Sequence, residues 1–206
     1  MTFEIPSYRP KLSERLGKLI DPINRLFDWL YHSIYNPLYR SGTLAIALLL
    51  ILLVMGLYLI FFYSVSQPYE SVAAIQSQIW VGRWVRAVHR YATDVAILAV
   101  VFHILQILVQ GKIWGPRLLA WLSGVVLLGC LFLSTWTGYV MVWDKHGQLL
   151  ALAGAEMLQV FPFLHDILAM AFNGSTQVDQ GFFFMNLFLH VGAPLLMVFG
   201  IWIHTA

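Results

Sequence analysis

The chain has 206 residues, of which 60% are hydrophobic and only 11% are charged, and its mean hydropathy is +0.75. Soluble domains carry about 25% charged residues, so a soluble domain of this length could not hide so much apolar surface. In a membrane protein, lipid covers that surface. The formal net charge of +2 gives no indication of a nucleic-acid partner, and the single cysteine, Cys130, excludes an internal disulfide.

Residues 1–40 are predicted to form an amphipathic N-terminal surface segment. Between residues 11 and 35, apolar side chains recur at helical spacing with charged residues between them. This pattern is typical of a helix that lies on the membrane surface. Pro22 is expected to kink or divide the helix, because proline lacks the backbone N–H that a helix interior needs.

Four apolar runs follow, and each reaches the roughly 20 residues that a membrane-spanning helix needs. They cover residues 41–63, 84–110, 118–142 and 181–206. A single span must satisfy its backbone hydrogen bonds internally, so all four are predicted to be α-helices. The predicted fold is therefore an all-α membrane protein whose residues 41–206 form a four-helix transmembrane bundle.

The connections between these runs differ in character. Residues 64–80 are predicted to be a polar loop and residues 111–117 a short basic turn. The third connection contains two moderately apolar pieces, 149–160 and 163–172, which are too short to span and are predicted to be short interfacial helices. A polar loop, residues 173–181, precedes the fourth helix.

Basic residues near the span ends predict the orientation. They are concentrated in the N-terminal segment and in the turn 111–117, which belong on the cytoplasmic side of a bacterial inner membrane. The N-terminus of this multi-pass chain is therefore expected in the cytoplasm. Arg83, Arg86 and Arg90 are the exception, since they would lie at the outer side, and they call for a specific anionic partner.

Four histidines lie inside the predicted spans and form two pairs of equal spacing. His89 and His103 are 14 positions apart, as are His190 and His204. Fourteen residues return a helix nearly to the same face and advance it by roughly 21 Å. Because the second and fourth spans run parallel, His89 and His190 should share an outer level, and His103 and His204 a deeper one. Each level offers both axial ligands of one haem iron, a closed site suited to electron transfer.

Glycines on the other two spans repeat the same spacing of 14 positions, and they are Gly42, Gly56, Gly124 and Gly138. Glycine lets another group approach the backbone closely, as a flat macrocycle at two levels would require. Simple helix packing through small residues is the alternative explanation for any one of these glycines. Similarly, a single intramembrane histidine could merely form a hydrogen bond between helices.

These residues resemble a known family. The paired glycines, the segments 82–90 (GRWVRAVHR), 137–144 (TGYVMVWD) and 188–194 (FLHVGAP), and the histidine spacing are similar to the N-terminal haem-binding half of cytochrome b from bc-type, quinol-oxidising complexes. The chain resembles a divergent bacterial member over residues 42–206. It departs from the family pattern at Val142, where proline is usual before the tryptophan.

The resemblance implies two non-covalent haems b. His89 and His190 would hold the outer haem, His103 and His204 the inner one, and Arg86 would pair with a haem propionate, since arginine binds carboxylates bidentately. The arginine usual shortly before the first histidine of the fourth helix is absent, and Met185 or Asn186 stands there. Asp94, inside the second span, is expected to form a structural pair with a neighbouring basic group or to relay protons.

The expected role is transmembrane electron transfer as a subunit of a quinol/quinone redox complex of a respiratory chain, not catalysis by this chain alone. The sequence stops two residues after His204, so a C-terminal cytochrome b half or an equivalent subunit is expected to complete the bundle and any shared quinone site. A Rieske-type protein or c-type cytochrome would be a further partner. Two alternatives stay open: a dihaem membrane anchor of a dehydrogenase or hydrogenase, and a haem-free transport or assembly subunit.

Overall fold

The computed structural model describes residues 11–113, 115–158, 178 and 180–205. Within this part, the chain forms seven α-helices, a 3-10 turn at Gly115–Arg117 and no strand. The helices are α1 (Lys11–Tyr35), α2 (Ser41–Ile60), α3 (Pro68–Ser77), α4 (Gly82–Val109), α5 (Leu118–Val142), α6 (Lys145–Leu158) and α7 (Gln180–Thr205).

Four of these helices, α2, α4, α5 and α7, are long and apolar enough to cross a membrane. Most of their residues are not buried within the chain. Large apolar side chains such as Phe188 and Trp202 point outward, with 68% and 69% of their surface exposed. In water these surfaces would favour aggregation, whereas lipid tails solvate them. The all-α, multi-pass membrane fold predicted from composition is thus confirmed.

The first span ends at Ile60, and the segment predicted as a polar loop contains a further helix, α3. The loop prediction is therefore wrong for residues 68–77. Pro68 stands at the first turn of this helix, where its missing N–H costs nothing. Ile75 is buried against the bundle, and α3 packs on α4 and α5. Packing of a short apolar face, which hydropathy alone does not reveal, stabilises this helix.

The helix after α5 begins earlier than predicted. Trp143, with φ of 55°, terminates α5 in the left-handed region, and α6 then runs over Lys145–Leu158. Asp144 caps it, because the Gly147 amide donates to the Asp144 Oδ1 at 2.8 Å. The other expected elements of this connection, the helix at 163–172 and the polar loop up to residue 177, lie outside the described residues.

The N-terminal helix α1 has the predicted bounds, and of the kink or division expected at Pro22 the division is wrong. The helix runs through Pro22, and its non-helical residue is His32, with φ of 59°. Leu19, Leu26 and Leu30 leave more than half of their surface exposed, which suits contact with a membrane surface. The opposite side of the helix buries Asn24, whose Oδ1 accepts a hydrogen bond from the Gln106 Nε2 of α4 at 2.9 Å.

A buried asparagine fixes the turn between α1 and α2. The Asn36 Nδ2 donates to the Asp28 Oδ1 at 2.8 Å and to the Asn24 carbonyl at 3.3 Å, and the Leu38 amide donates to the Asn36 Oδ1 at 2.9 Å. Asn36 has no exposed surface, so these bonds replace the water that its amide loses. The turn thereby holds α1 beside the start of the bundle.

The four spans associate as two closely packed pairs, α2 with α4 and α5 with α7. Leu49, Leu131 and Met197 form a small apolar core between the pairs. In contrast, the backbones of α4 and α7 are close to each other at very few positions, if any. The bundle therefore keeps a gap between α4 and α7, the two helices that carry the paired histidines.

Candidate functional site

The histidine rings of α4 and α7 face each other across this gap. The ring centres of His89 and His190 lie 6.0 Å apart, and those of His103 and His204 lie 6.2 Å apart. The ring planes cross at 69° and 68°, respectively. The structure thus brings together the two pairs expected from the spacing of 14 positions, one pair at each level of the bundle.

At the first level, backbone carbonyls orient both imidazoles. The His89 Nδ1 lies 3.1 Å from the Leu52 carbonyl oxygen on α2, and the His190 Nδ1 lies 2.7 Å from the Ser134 carbonyl oxygen on α5. A carbonyl only accepts, so each Nδ1 carries the proton and donates it. A neutral ring of this tautomer keeps its free lone pair on Nε2, where it can bind a metal.

At the second level, a hydroxyl takes the place of the carbonyl. The Ser123 Oγ lies 3.1 Å from the His204 Nδ1, and it donates its own proton to the Ala120 carbonyl at 3.0 Å. Since a serine hydroxyl has one proton, its oxygen is left to accept from the His204 Nδ1. The Nε2 of His204 is therefore also free to coordinate.

Each of the four glycines lies against one of the four imidazoles. A Cβ atom built on the glycine would come within 3.0 Å of the His103 Cε1 at Gly42, 3.2 Å of the His89 Cε1 at Gly56, 3.1 Å of the His204 Cε1 at Gly124 and 2.6 Å of the His190 Cε1 at Gly138. The sequence predicted space for a macrocycle at these positions. The group directly against each glycine is the edge of an imidazole, so the missing side chain gives the ring its place.

The two facing pairs fit a six-coordinate iron that takes one nitrogen from each side. With metal–nitrogen bonds of about 2.0 Å and a ring nitrogen roughly 1.1 Å from its ring centre, two such imidazoles have centres about 6 Å apart. The described residues contain no group of three or more histidine, cysteine or acidic side chains that could hold a metal ion, so they offer no tetrahedral site. The residues present thus fit bis-histidine haem ligation.

Arg86 forms a hydrogen bond with a side chain of α3. Its Nη1 donates to the Gln76 Oε1 at 2.6 Å, and the Arg83 Nε donates to the Gln76 carbonyl at 3.4 Å. Arg86 is half-buried, while Arg90 is exposed and lies over the Tyr91 ring. Gln76 belongs to α3, so the sequence analysis, which expected a loop there, missed this contact. Arg86 forms no ion pair within 4 Å in the described part of the chain, and the Asp144 carboxylate acts on its charge only from a longer distance.

Asn186 is, with Met185, one of the two residues that stand where an arginine was expected near the start of the fourth helix. It is 1% exposed, and its Nδ2 donates to the Phe182 carbonyl at 2.9 Å. Its Oδ1 is buried without a hydrogen-bond partner in the described part of the chain. Because Asn186 is neutral, it adds no positive charge one helical turn before His190.

Two tyrosines connect the end of α5 with neighbouring elements. The Tyr139 hydroxyl lies 3.3 Å from the Asp94 Oδ1, so the expected structural pair of Asp94 involves a phenol and not a basic group. Beyond the end of α2, the Tyr63 hydroxyl donates to the Met141 carbonyl at 3.1 Å. Burial raises the pKa of Tyr63 above the ordinary range of a phenol, so this donor keeps its proton.

The four apolar helices, with two histidine pairs facing each other between them, define a multi-pass membrane protein. A model of the family described as Cytochrome b/b6/petB matches residues 26–206. The chain therefore belongs to the cytochrome b family, whose members transport electrons across membranes.

Curated relatives agree over most of the chain. It is similar to cytochrome b6 of Prochlorococcus marinus (strain NATL1A), with 27% identity over 168 residues that cover 80% of this chain and 77% of that protein. Its similarity to cytochrome b6 of Synechococcus sp. (strain JA-3-3Ab) is 26% identity over 173 residues, covering 83% of this chain and 75% of that protein.

Proposed function

We propose that the chain is the dihaem electron-transfer subunit of a membrane quinol/quinone redox complex. His89 and His190 would hold one haem b and His103 and His204 the other, both without covalent attachment. Membership of the cytochrome b family supports haem binding and electron transport in a membrane complex.

The observation that carries the proposal is that the imidazoles face each other in two pairs while most of their Nδ1 atoms are held by other helices. Three of the four rings have their Nδ1 occupied by an acceptor on a neighbouring helix. Metal-binding histidines typically donate the second ring N–H to a carbonyl, carboxylate or hydroxyl in this way, which orients the ring and increases the basicity of the free nitrogen. Simple links between helices would not require the rings to face each other as well, yet the two pairs do so with ring centres 6.0 and 6.2 Å apart.

The chain's other residues would support the bound groups. Gly42, Gly56, Gly124 and Gly138 leave the imidazole edges room to lie flat against α2 and α5. The outward apolar faces of the spans sit in lipid and keep water away from both levels. When bound, the haems supply one-electron chemistry at iron, and the protein sets their position and their electrostatic surroundings.

Arg86 is the residue that we assign to an anionic haem substituent at the His89/His190 level. It is half-buried and has no carboxylate within ion-pair distance in the described residues, and Gln76 holds its Nη1 by a neutral bond. A guanidinium can keep that bond and still direct its other N–H groups to a carboxylate.

We further propose that the N-terminus is cytoplasmic in a bacterial inner membrane, which puts the His89/His190 pair near the outer side. The basic residues of α1 and of the 111–117 turn support this orientation. A C-terminal cytochrome b half or its equivalent, a Rieske-type protein or c-type cytochrome, and a quinone at a shared site are the partners that the family suggests.

Haem content and pairwise histidine variants test the proposal. The intact complex should give two haems b per chain in a pyridine haemochrome assay. His89→Leu and His190→Leu should each remove the same haem, whereas His103→Leu and His204→Leu should each remove the other, as judged from reduced-minus-oxidised spectra. The control is His146→Gln, since His146 is exposed on α6 and should leave both haems in place.

A complex with no haem would overturn the proposal. So would a pattern in which the two members of a pair affect different haems, because each haem is expected to be held by one histidine from each helix.

A further inference from the structure

Two serines of α5 lie beside the histidines of α7, but they meet them through different atoms. The Ser134 carbonyl oxygen accepts from the His190 Nδ1 at 2.7 Å, and its hydroxyl oxygen is farther away at 3.5 Å. The Ser123 hydroxyl oxygen lies 3.1 Å from the His204 Nδ1. One histidine is therefore held by the backbone, which no substitution removes, and the other by a side chain.

The geometry of Ser123 fixes its role as an acceptor. Its proton goes to the Ala120 carbonyl three residues earlier in the same helix, at 3.0 Å. A hydroxyl that donates to a carbonyl has a more strongly accepting oxygen, because hydrogen bonds in a chain polarise one another. The neighbouring Gly124 holds the His204 ring edge close to this oxygen, with a built Cβ only 3.1 Å from the His204 Cε1.

We propose that Ser123 is a positioning residue that sets the redox potential of the haem held by His103 and His204. This inference rests on the proposed function and deepens it. An acceptor on Nδ1 draws the proton away from the ring and makes Nε2 a stronger donor to iron, which favours the ferric state. The couple is the one-electron change between ferric and ferrous iron, in which no bond breaks and His204 keeps its Nδ1 proton.

The direction of the effect follows from this reasoning. Without the Ser123 hydroxyl, the His204 Nδ1 loses its acceptor within hydrogen-bond distance, and the ring becomes a weaker donor. The ferrous state then gains relative stability, so the midpoint potential of this haem rises. The haem at the His89/His190 level keeps its backbone acceptors at Leu52 and Ser134 and should not change.

An equilibrium redox titration of the intact complex, followed by the absorption of each haem, tests the proposal. Ser123→Ala should raise the midpoint potential of the His103/His204 haem only. Ser123→Thr keeps the hydroxyl and should restore the original value. Thr135→Val is the matched control: it removes a buried hydroxyl of the same helix that has no hydrogen-bond partner in the described part of the chain, so both potentials should stay unchanged.

Ser123→Cys keeps the shape of the side chain, although it is larger, and replaces the hydroxyl by a weaker acceptor. Should the alanine variant fail to assemble, the cysteine variant is expected to give an upward shift smaller than that expected for alanine. Unchanged potentials in both variants, with two haems bound, would overturn the role of Ser123 and leave the proposed function standing. A wild-type complex without two haems would instead overturn the proposed function, and this inference with it.

Discussion

Gly138 lies so close to His190 that a Cβ atom at this position would be 2.6 Å from the His190 Cε1 and 3.0 Å from its Nδ1. No real side chain tolerates such a distance, and the ring cannot move away without losing its hydrogen bond to the Ser134 carbonyl. Gly138→Ala should therefore displace the imidazole and reduce the content of the His89/His190 haem, measured from the difference spectrum of the purified complex. The same change at Gly56, where the distance is 3.2 Å, should have a weaker effect.

Matched controls for this substitution lie on the same helices. Gly129 on α5 and Gly192 on α7 have no atom within 4 Å of a built Cβ. Gly129→Ala and Gly192→Ala should keep both haems, and a helical alanine is expected to stabilise the chain by up to about 1 kcal/mol. An equal loss of haem in all three variants would show that the glycines serve helix flexibility and not the rings.

Removal of the Arg86 charge should lower the midpoint potential of the His89/His190 haem. An anionic propionate without its cation stabilises ferric iron, so Arg86→Leu shifts the potential downward, while Arg86→Lys keeps the charge and retains most of the original value. Gln76→Leu removes the neutral partner at 2.6 Å and should leave the potential nearly unchanged. Redox titration distinguishes these outcomes, and an unshifted Arg86→Leu variant would argue that Arg86 contacts lipid headgroups only.

The contact between α1 and α4 offers a stability test. Asn24 and Gln106 are 7% and 5% exposed and share a hydrogen bond of 2.9 Å. Asn24→Leu or Gln106→Leu leaves a buried amide without its partner, which costs about 1–3 kcal/mol. The double variant should recover part of this loss, because both polar groups are then gone. Thermal unfolding of the complex measures the cycle, and simple additivity of the two losses would contradict a direct bond.

Asp94 is expected to act as a structural partner of Tyr139. The Asp94 side chain is exposed on α4, and its bond to the Tyr139 hydroxyl is long, at 3.3 Å. Tyr139→Phe should therefore change the unfolding free energy by no more than about 1 kcal/mol and leave both haem spectra intact. Asp94→Asn should behave in the same way. A large fall in quinol-dependent haem reduction in Asp94→Asn, with normal haem content, would instead identify a proton relay.

Periodicity made the central part of this structure predictable. The spacing of His89 from His103 and of His190 from His204 fixes both their helix face and their level, because an α-helix has a constant rise and twist. The same regularity placed the glycines of α2 and α5 opposite the rings. Spans of this length and hydropathy leave few alternative folds in a membrane.

The acceptors of the imidazoles could not be predicted in this way. The Leu52 and Ser134 carbonyls belong to the backbone, and every residue has one. Their relation to the rings depends on the relative rotation of two helices, which is a packing property. The helix α3 was missed because its ten residues are too polar for a span, although Pro68 at its start is a known signal. Gln76, the partner of Arg86, belongs to α3 and was therefore missed as well.

The separation of α4 from α7 has a consequence for biogenesis. Each closely packed pair, α2 with α4 and α5 with α7, can form as the chain enters the bilayer. The two halves then meet through the small core around Leu131, the packing of α3 on α5 and the Tyr63–Met141 and Tyr139–Asp94 bonds. Insertion of the cofactors would then be the last step that joins the two preassembled helix pairs. In cells starved of iron-porphyrin, the inserted but open chain should be degraded by membrane proteases faster than the chain in cells that are well supplied.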